Sequence, residues 1–114
     1  MKIGEIYWVE LPDADGREQK GRRPAVIFQQ DSYGSSLPTL LVIPLSSTKA
    51  ALRFPGTALI RATTDSGLKN DSVALVFQLR AIDRGRIIGQ LGKVHRGELS
   101  TISEELQKLT RESP

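Results

Sequence analysis

The chain has 114 residues, 39% of them hydrophobic and 25% charged, with a formal net charge of +3. That balance excludes a disordered chain, and no run approaches the roughly 20 apolar residues of a transmembrane helix. The absence of cysteine excludes disulfides, thiolate metal sites and a cysteine nucleophile, and fits a cytoplasmic location.

The amino terminus, MKIGEIYWVE, has an acidic residue at position 5 and no sustained apolar stretch, so it is not read as a secretory signal. The length fits a single domain over residues 1–114. A first strand is expected over Gly4 to Leu11, with Tyr7, Val9 and Leu11 on one side. Residues 12–23, PDADGREQKGRR, are rich in turn formers and charge and read as an exposed loop. Pro24 to Gln29 (PAVIFQ) and Thr39 to Leu45 (TLLVIPL) read as buried strands, joined through QDSYGSSLP with Gly34 and Ser35 at its middle. A weaker strand spans Gly56 to Ala62, followed by the loop TTDSGLKND and a strand over Ser72 to Leu79. Ile87 to Val94 adds another, with Gly89 and Gly92 marking bulges or bends. The period then changes: Leu99, Ile102, Leu106 and Leu109 recur as the apolar stripe of a closing amphipathic helix. Five or six short strands and a carboxy-terminal helix imply a small, strongly curved, barrel-like β-sheet capped by a helix.

Absences narrow the chemistry. His95 is the only histidine, so a two-histidine acid–base pair is impossible, and beside Lys93 and Arg96 it reads as a surface residue. Neither metal-ligand spacing, a phosphate-binding glycine loop nor a serine-hydrolase elbow is present, and no cofactor is expected. Any chemistry must therefore use Arg, Lys, Ser, Thr, Glu or Gln.

Positive charge is crowded where the chain enters its core. Arg17, Lys20, Arg22 and Arg23, with Glu18 and Gln19 among them, lead directly into Pro24. Proline biases the preceding Arg23 toward extended backbone and so holds it at the strand mouth. With an apex between Gly34 and Ser35, antiparallel pairing sets Arg23 opposite Ser46, next to Ser47 and Thr48. A permanently charged guanidinium fork beside hydroxyls suits a phosphodiester. A solvated basic loop and a Ser/Thr turn are the plainer reading of the same residues. Gln78, Arg80 and Arg86 stand near strand ends, where Gln78 either reads a base edge or caps a ladder. Glu18 is a candidate proton acceptor or an ion-pair partner of the neighbouring arginines. Trp8 and Tyr7 read as core or rim residues.

The succession GEIYWVELP, GREQKGRRPAVIFQ, LVIPLSST and SVALVFQLRAIDRGRI resembles the MazF/PemK toxins of bacterial toxin–antitoxin pairs over nearly the whole chain. Its most specific part is G-x-E-Q-x-G-x-R-P over residues 16–24. A second marker is the Gln78–Leu79–Arg80 segment. The resemblance implies an SH3-like β-barrel with a carboxy-terminal helix, a homodimer, and metal-independent cleavage of single-stranded RNA at short sequences. In such cleavage the 2′-hydroxyl attacks the adjacent phosphodiester and leaves a 2′,3′-cyclic phosphate and a 5′-hydroxyl. It also implies a cognate antitoxin that lays an acidic, disordered carboxy-terminal segment over the RNA site. The family's essential arginine falls on Arg23, its hydroxyl partner on Ser46, and its glutamate on Glu18, a helper or an orienting group. Arg17, Gln19, Lys20, Arg22, Ser47, Thr48, Gln78, Arg80 and Arg86 are the candidate substrate-binding residues. Two positions depart from the family pattern: Ser46 replaces the common threonine, and Phe77 stands where relatives carry Asp, Glu or Asn.

Two alternatives share this architecture. One is a gyrase-poisoning toxin of the same fold, and the other a non-catalytic nucleic-acid-binding or peptide-binding barrel. The G-x-E-Q-x-G-x-R-P segment argues for the nuclease, because a protein poison does not need the arginine and the hydroxyl together.

Overall fold

The computed structural model describes residues 1–12, 16, 18–33 and 36–112. Arg17 and the Gly34–Ser35 apex lie outside them. Among the described residues, seven antiparallel strands form one curved sheet: β1 (Glu5–Leu11), β2 (Gly21–Ile27), β3 (Thr39–Ser46), β4 (Thr57–Ile60), β5 (Ser72–Leu75), β6 (Arg80–Asp83) and β7 (Ile87–Lys93). Their lateral order is β4-β5-β3-β2-β1-β7, with β6 also paired to β3. The helix α1 (Arg96–Thr110) follows. The sheet is not a closed cylinder. Strand β3 changes partner along one edge, from β6 at Thr39–Val42 to β5 at Leu45–Ser46.

Strand alternation sends side chains to two apolar clusters. Ile6, Val26, Ile43 and Leu45 join Ile60, Ala74 and Val76 under the helix, whereas Val9, Leu11, Ala25, Ile27 and Val42 join Leu40 and Ile82 on the other face. With both faces of β3 covered, its sequence is continuously apolar rather than alternating. Ile102 supplies the fully buried contact of α1, with Leu99 and Leu106 packed beside it. Leu109, the last member of the stripe, is 43% exposed. His95 is exposed and caps the helix: its Nδ1 accepts from the Gly97 N–H at 3.0 Å, and its own N–H donates to Glu98 Oε1 at 2.8 Å.

Two features differ from the sequence pattern, and a third, the bulged β7, follows it. Strand β2 begins at Gly21, so Arg22 and Arg23 lie in the strand rather than in the loop before it. Pro24 stands opposite Trp8 in the β1–β2 register, one position before the β2–β3 ladder begins at Ala25. The expected strand over Ser72 to Leu79 is cut at Leu75 by a 3-10 turn, Val76–Gln78, and the chain resumes as β6. That corner lets one segment follow β3 on both sides of its change of partner. In β7 the pairing with β1 slips between Gly92 and Gln90 and again between Gly89 and Ile87, so each of the two glycines flanks a bulge. A Cβ on Gly92 would meet the Asp65 carbonyl at 2.1 Å, and one on Gly67 (φ +69°) would meet the Leu91 carbonyl at 2.1 Å. The loop after β4 is thereby seated directly on β7.

Candidate nucleic-acid interface

The β2–β3 ladder pairs Ala25 with Pro44, Val26 with Ile43 and Ile27 with Val42. Two positions further along the same register stand Arg23 and Ser46, at the mouth of the sheet. Arg23 is held there locally, its Nε donating to the Lys20 carbonyl at 3.3 Å. Ser46 is only 8% exposed. Its Oγ accepts from the Thr48 N–H at 3.2 Å, which ends the strand and leaves the hydroxyl proton to donate elsewhere.

Two cavities flank the Ser46–Ser47 dipeptide where β3 ends, Ser46 lining one and Ser47 the other. The first, about 530 Å³, is lined by Gln19, Ser46, Thr48 and Gln78 on its polar side and by Phe54, Phe77 and Leu109 among its apolar residues. Phe54 and Phe77 meet edge-to-face with ring centroids 6.2 Å apart, and the Arg53 guanidinium lies 4.9 Å over the Phe54 ring. The second, about 540 Å³, is lined by Arg22, Arg23, Lys69, Asn70 and Ser47 over a floor that includes Trp8 and Pro24. No acidic residue is among the described residues lining the second cavity. It therefore offers positive charge, hydroxyls and an aromatic face together, a combination suited to a phosphate-linked base.

Beneath the first cavity, the loop before β2 is tied down at one residue. The Gln19 N–H donates to Gln78 Oε1 at 2.8 Å, and Arg80 Nη2 donates to the Gln19 carbonyl. Burial lowers the Arg80 guanidinium pKa from its ordinary value, and attraction to Glu18 opposes that shift. Arg80 is partly buried, with its Nη2 turned to the loop's backbone. No group of three or more His, Cys, Asp or Glu side chains positioned to hold a metal occurs among the described residues.

A family model described as PemK-like, MazF-like toxin of type II toxin–antitoxin system matches residues 2–110. The chain belongs to the PemK/MazF family. Endoribonuclease MazF9 of Mycobacterium tuberculosis is 34% identical over 112 residues, covering 94% of this chain and 93% of that protein. Endoribonuclease EndoA of Bacillus subtilis is 29% identical over 107 residues, covering 94% and 91%. Among solved structures, MazF from Deinococcus radiodurans superposes with a TM-score of 0.81 at 24% identity, covering 96% and 94%. A mycobacterial endoribonuclease in complex with its cognate antitoxin superposes at 0.77 and 16% identity, covering 100% and 99%.

On this PemK/MazF scaffold the candidate residues separate into groups. Gln19, Ser46, Thr48 and Gln78 meet at the first cavity, and Arg22, Arg23 and Ser47 at the second. Arg23 and Ser46 are therefore aligned in register but open to neighbouring cavities. Of Ser46, Ser47 and Thr48, Ser47 is the one that shares a cavity with Arg23. Glu18 and Lys20 are exposed on the loop between β1 and β2. Arg86 sits in the exposed turn between β6 and β7 and lines neither cavity. Arg17 lies outside the described residues. The pattern did not single out Trp8, Lys69, Asn70, Phe54 or Leu109 as cavity residues. The only signal available was the polar loop sequence GLKND with its single cation Lys69, whose position against Arg23 depends on the close approach of Gly67 to β7.

Proposed function

We propose that this protein is an endoribonuclease toxin that cleaves single-stranded RNA, as a single domain acting in the cytoplasm as a homodimer. The observation that carries the reading is the meeting of the Arg22–Arg23–Pro24 end of β2 with the Ser46–Ser47–Thr48 end of β3, between two cavities. Membership of the family and the endoribonuclease names of the two relatives support it, as does the basic, acid-free lining of the second cavity. A single strand crossing the Ser46–Ser47 ridge would have one nucleotide in each cavity and the linking phosphate between Arg23 and the serine hydroxyls.

In this reading, the 2′-oxygen bonds to phosphorus and loses its proton. The bond from phosphorus to the 5′-oxygen breaks, and that oxygen leaves with a proton as a 5′-hydroxyl. A 2′,3′-cyclic phosphate remains. Arg23 faces the negative charge that grows on the phosphoryl oxygens, a role in which one well-aimed donor is worth roughly 3–4 kcal/mol. Ser46 and Ser47 supply hydroxyl donors. Glu18 accepts the proton or orients the cations around it. Cleavage runs without a metal ion. A cognate antitoxin with an acidic carboxy-terminal segment would occupy the same basic surface by charge complementarity.

The purified protein should cut single-stranded RNA in buffer containing EDTA and leave 5′-hydroxyl ends. Sequencing those ends after brief induction in cells gives the recognition site. Growth arrest without any RNA cleavage would favour the gyrase-poisoning alternative instead.

A further inference from the structure

Gln78 and Arg80 were expected to contact substrate, yet both are engaged with the protein's own backbone. Gln78 Oε1 takes the Gln19 N–H at 2.8 Å, and Arg80 Nη2 gives to the Gln19 carbonyl. One peptide segment is thus gripped at both of its polar groups by side chains that lie 59 and 61 residues away in sequence. The next residue, Lys20, uses its carbonyl to accept from Arg23 Nε at 3.3 Å. The preceding residue is Glu18, whose charge attracts Arg80. A continuous path therefore runs from the corner between β5 and β6, through the Gln19 backbone, to the guanidinium at the mouth of β2.

We infer that Arg80 and Gln78 are positioning residues: they fix the Gln19–Lys20 backbone so that Arg23 and Glu18 are aimed at the phosphate. The arrangement suits this task better than RNA binding. Arg80 is partly buried, lines neither cavity, and has its Nη2 taken by the Gln19 carbonyl. The loop itself is polar and rich in glycine, with Gly16 and Gly21 both at positive φ. Without external ties, such a segment would sample many backbone states. Displacing a reacting group by about 1 Å costs on the order of 100-fold in rate, so a backbone clamp one residue away from the Lys20 carbonyl has large leverage.

This inference rests on the endoribonuclease reading, and the test separates the two. Cleavage by the wild-type protein is measured first, and its absence would sink that reading independently of the clamp. Binding is then measured with an RNA carrying a 2′-deoxy nucleotide at the cleaved position. Arg80→Ala and Gln78→Ala should each lower kcat by about 10- to 100-fold while affinity stays within about 2-fold. The slope of log K against log salt should match wild type in both variants. Loss of one phosphate contact would reduce that slope by about 0.7. A reduced slope with weakened binding in Arg80→Ala would make Arg80 a phosphate ligand and overturn the inference. Exchange of the Gln19 amide hydrogen, followed by NMR without RNA, should speed up in Gln78→Ala. Unchanged exchange, or unchanged kcat in Gln78→Ala, would equally overturn the inference.

Discussion

Arg23 Nε donates to the carbonyl of Lys20 at 3.3 Å, so the guanidinium is oriented by its own loop while its remaining N–H groups are free to face a ligand. Because Arg23 is exposed and fills no core space, Arg23→Ala should leave the thermal transition essentially unchanged. RNA cleavage should fall by about 100- to 1,000-fold. Arg23→Lys keeps the charge but not the fork and should recover only part of the rate. Parallel melting curves and single-turnover cleavage assays check both statements. Wild-type cleavage by Arg23→Ala would remove this residue from the mechanism.

The two serines at the end of β3 should separate in their effects. Ser46 Oγ satisfies the Thr48 N–H, so Ser46→Ala should cost about 0.5–1.5 kcal/mol of stability as well as activity. Ser46→Thr keeps the oxygen and should recover both. Ser47 is exposed, and Ser47→Ala should change cleavage alone. Urea denaturation with cleavage kinetics on the same samples tells which hydroxyl serves the phosphate. A full rate in Ser46→Ala would assign that role to Ser47.

Much of this arrangement was legible before any coordinates, for identifiable reasons. The pairing of Ala25 with Pro44 follows from two β-rich runs placed symmetrically about one turn, because antiparallel register is fixed once the apex is known. The stripe from Leu99 to Leu106 announces its helix by period alone. Gly89 and Gly92 mark the bulges of β7 because a glycine in a strand signals irregular pairing or close approach. The corner at Val76–Gln78 could not be read this way. SVALVFQL carries neither glycine nor proline, and its break coincides with the change of partner along β3 rather than with any local breaker. The role of Arg80 was hidden for a similar reason. Its partner is a backbone carbonyl 61 residues away, and no side-chain pattern records such a contact. Arg23 and Ser46 share a register yet line neighbouring cavities, and register alone does not say which cavity a side chain enters.

His95 serves the helix rather than the chemistry. It provides one half of the reciprocal cap at the start of α1, so His95→Ala should destabilise the protein by about 1 kcal/mol. For a domain of this size that corresponds to a melting temperature lowered by about 4 °C. His95→Asn restores a capping oxygen and should recover most of the loss. The rate of RNA cleavage at a temperature well below the transition should be the same in all three proteins. A cleavage defect in His95→Ala under those conditions would place this histidine in the reaction.

The seating of the loop after β4 on β7 should be as sensitive as a core position. Gly92→Ala would put a methyl group 2.1 Å from the Asp65 carbonyl, a backbone contact that no side-chain rotation relieves. The loss should reach about 1–3 kcal/mol in denaturation. RNA affinity should fall as well, because the same loop carries Lys69 and Asn70 to the second cavity. Gly89→Ala meets nothing within 4 Å and should be close to neutral, which makes it the matched control.

Trp8 offers a direct view of the second cavity. It is the only tryptophan in the chain, is 37% exposed, and lies among Arg22, Arg23 and Lys69. A base entering this cavity would stack on the indole or exclude water from it, and either changes the emission. Titration with the uncleavable RNA should therefore alter Trp8 fluorescence at the same concentrations that saturate binding measured independently. Lys69→Ala should weaken the response and shift its midpoint upward, and high salt should do the same through the phosphate contacts. Trp8→Phe keeps an aromatic face and should bind nearly as well as wild type, whereas Trp8→Ala should lose about 1–3 kcal/mol of affinity. If saturating RNA left the emission unchanged and Trp8→Ala bound normally, the strand would run through the first cavity alone, and the cations around Trp8 would belong to a protein partner.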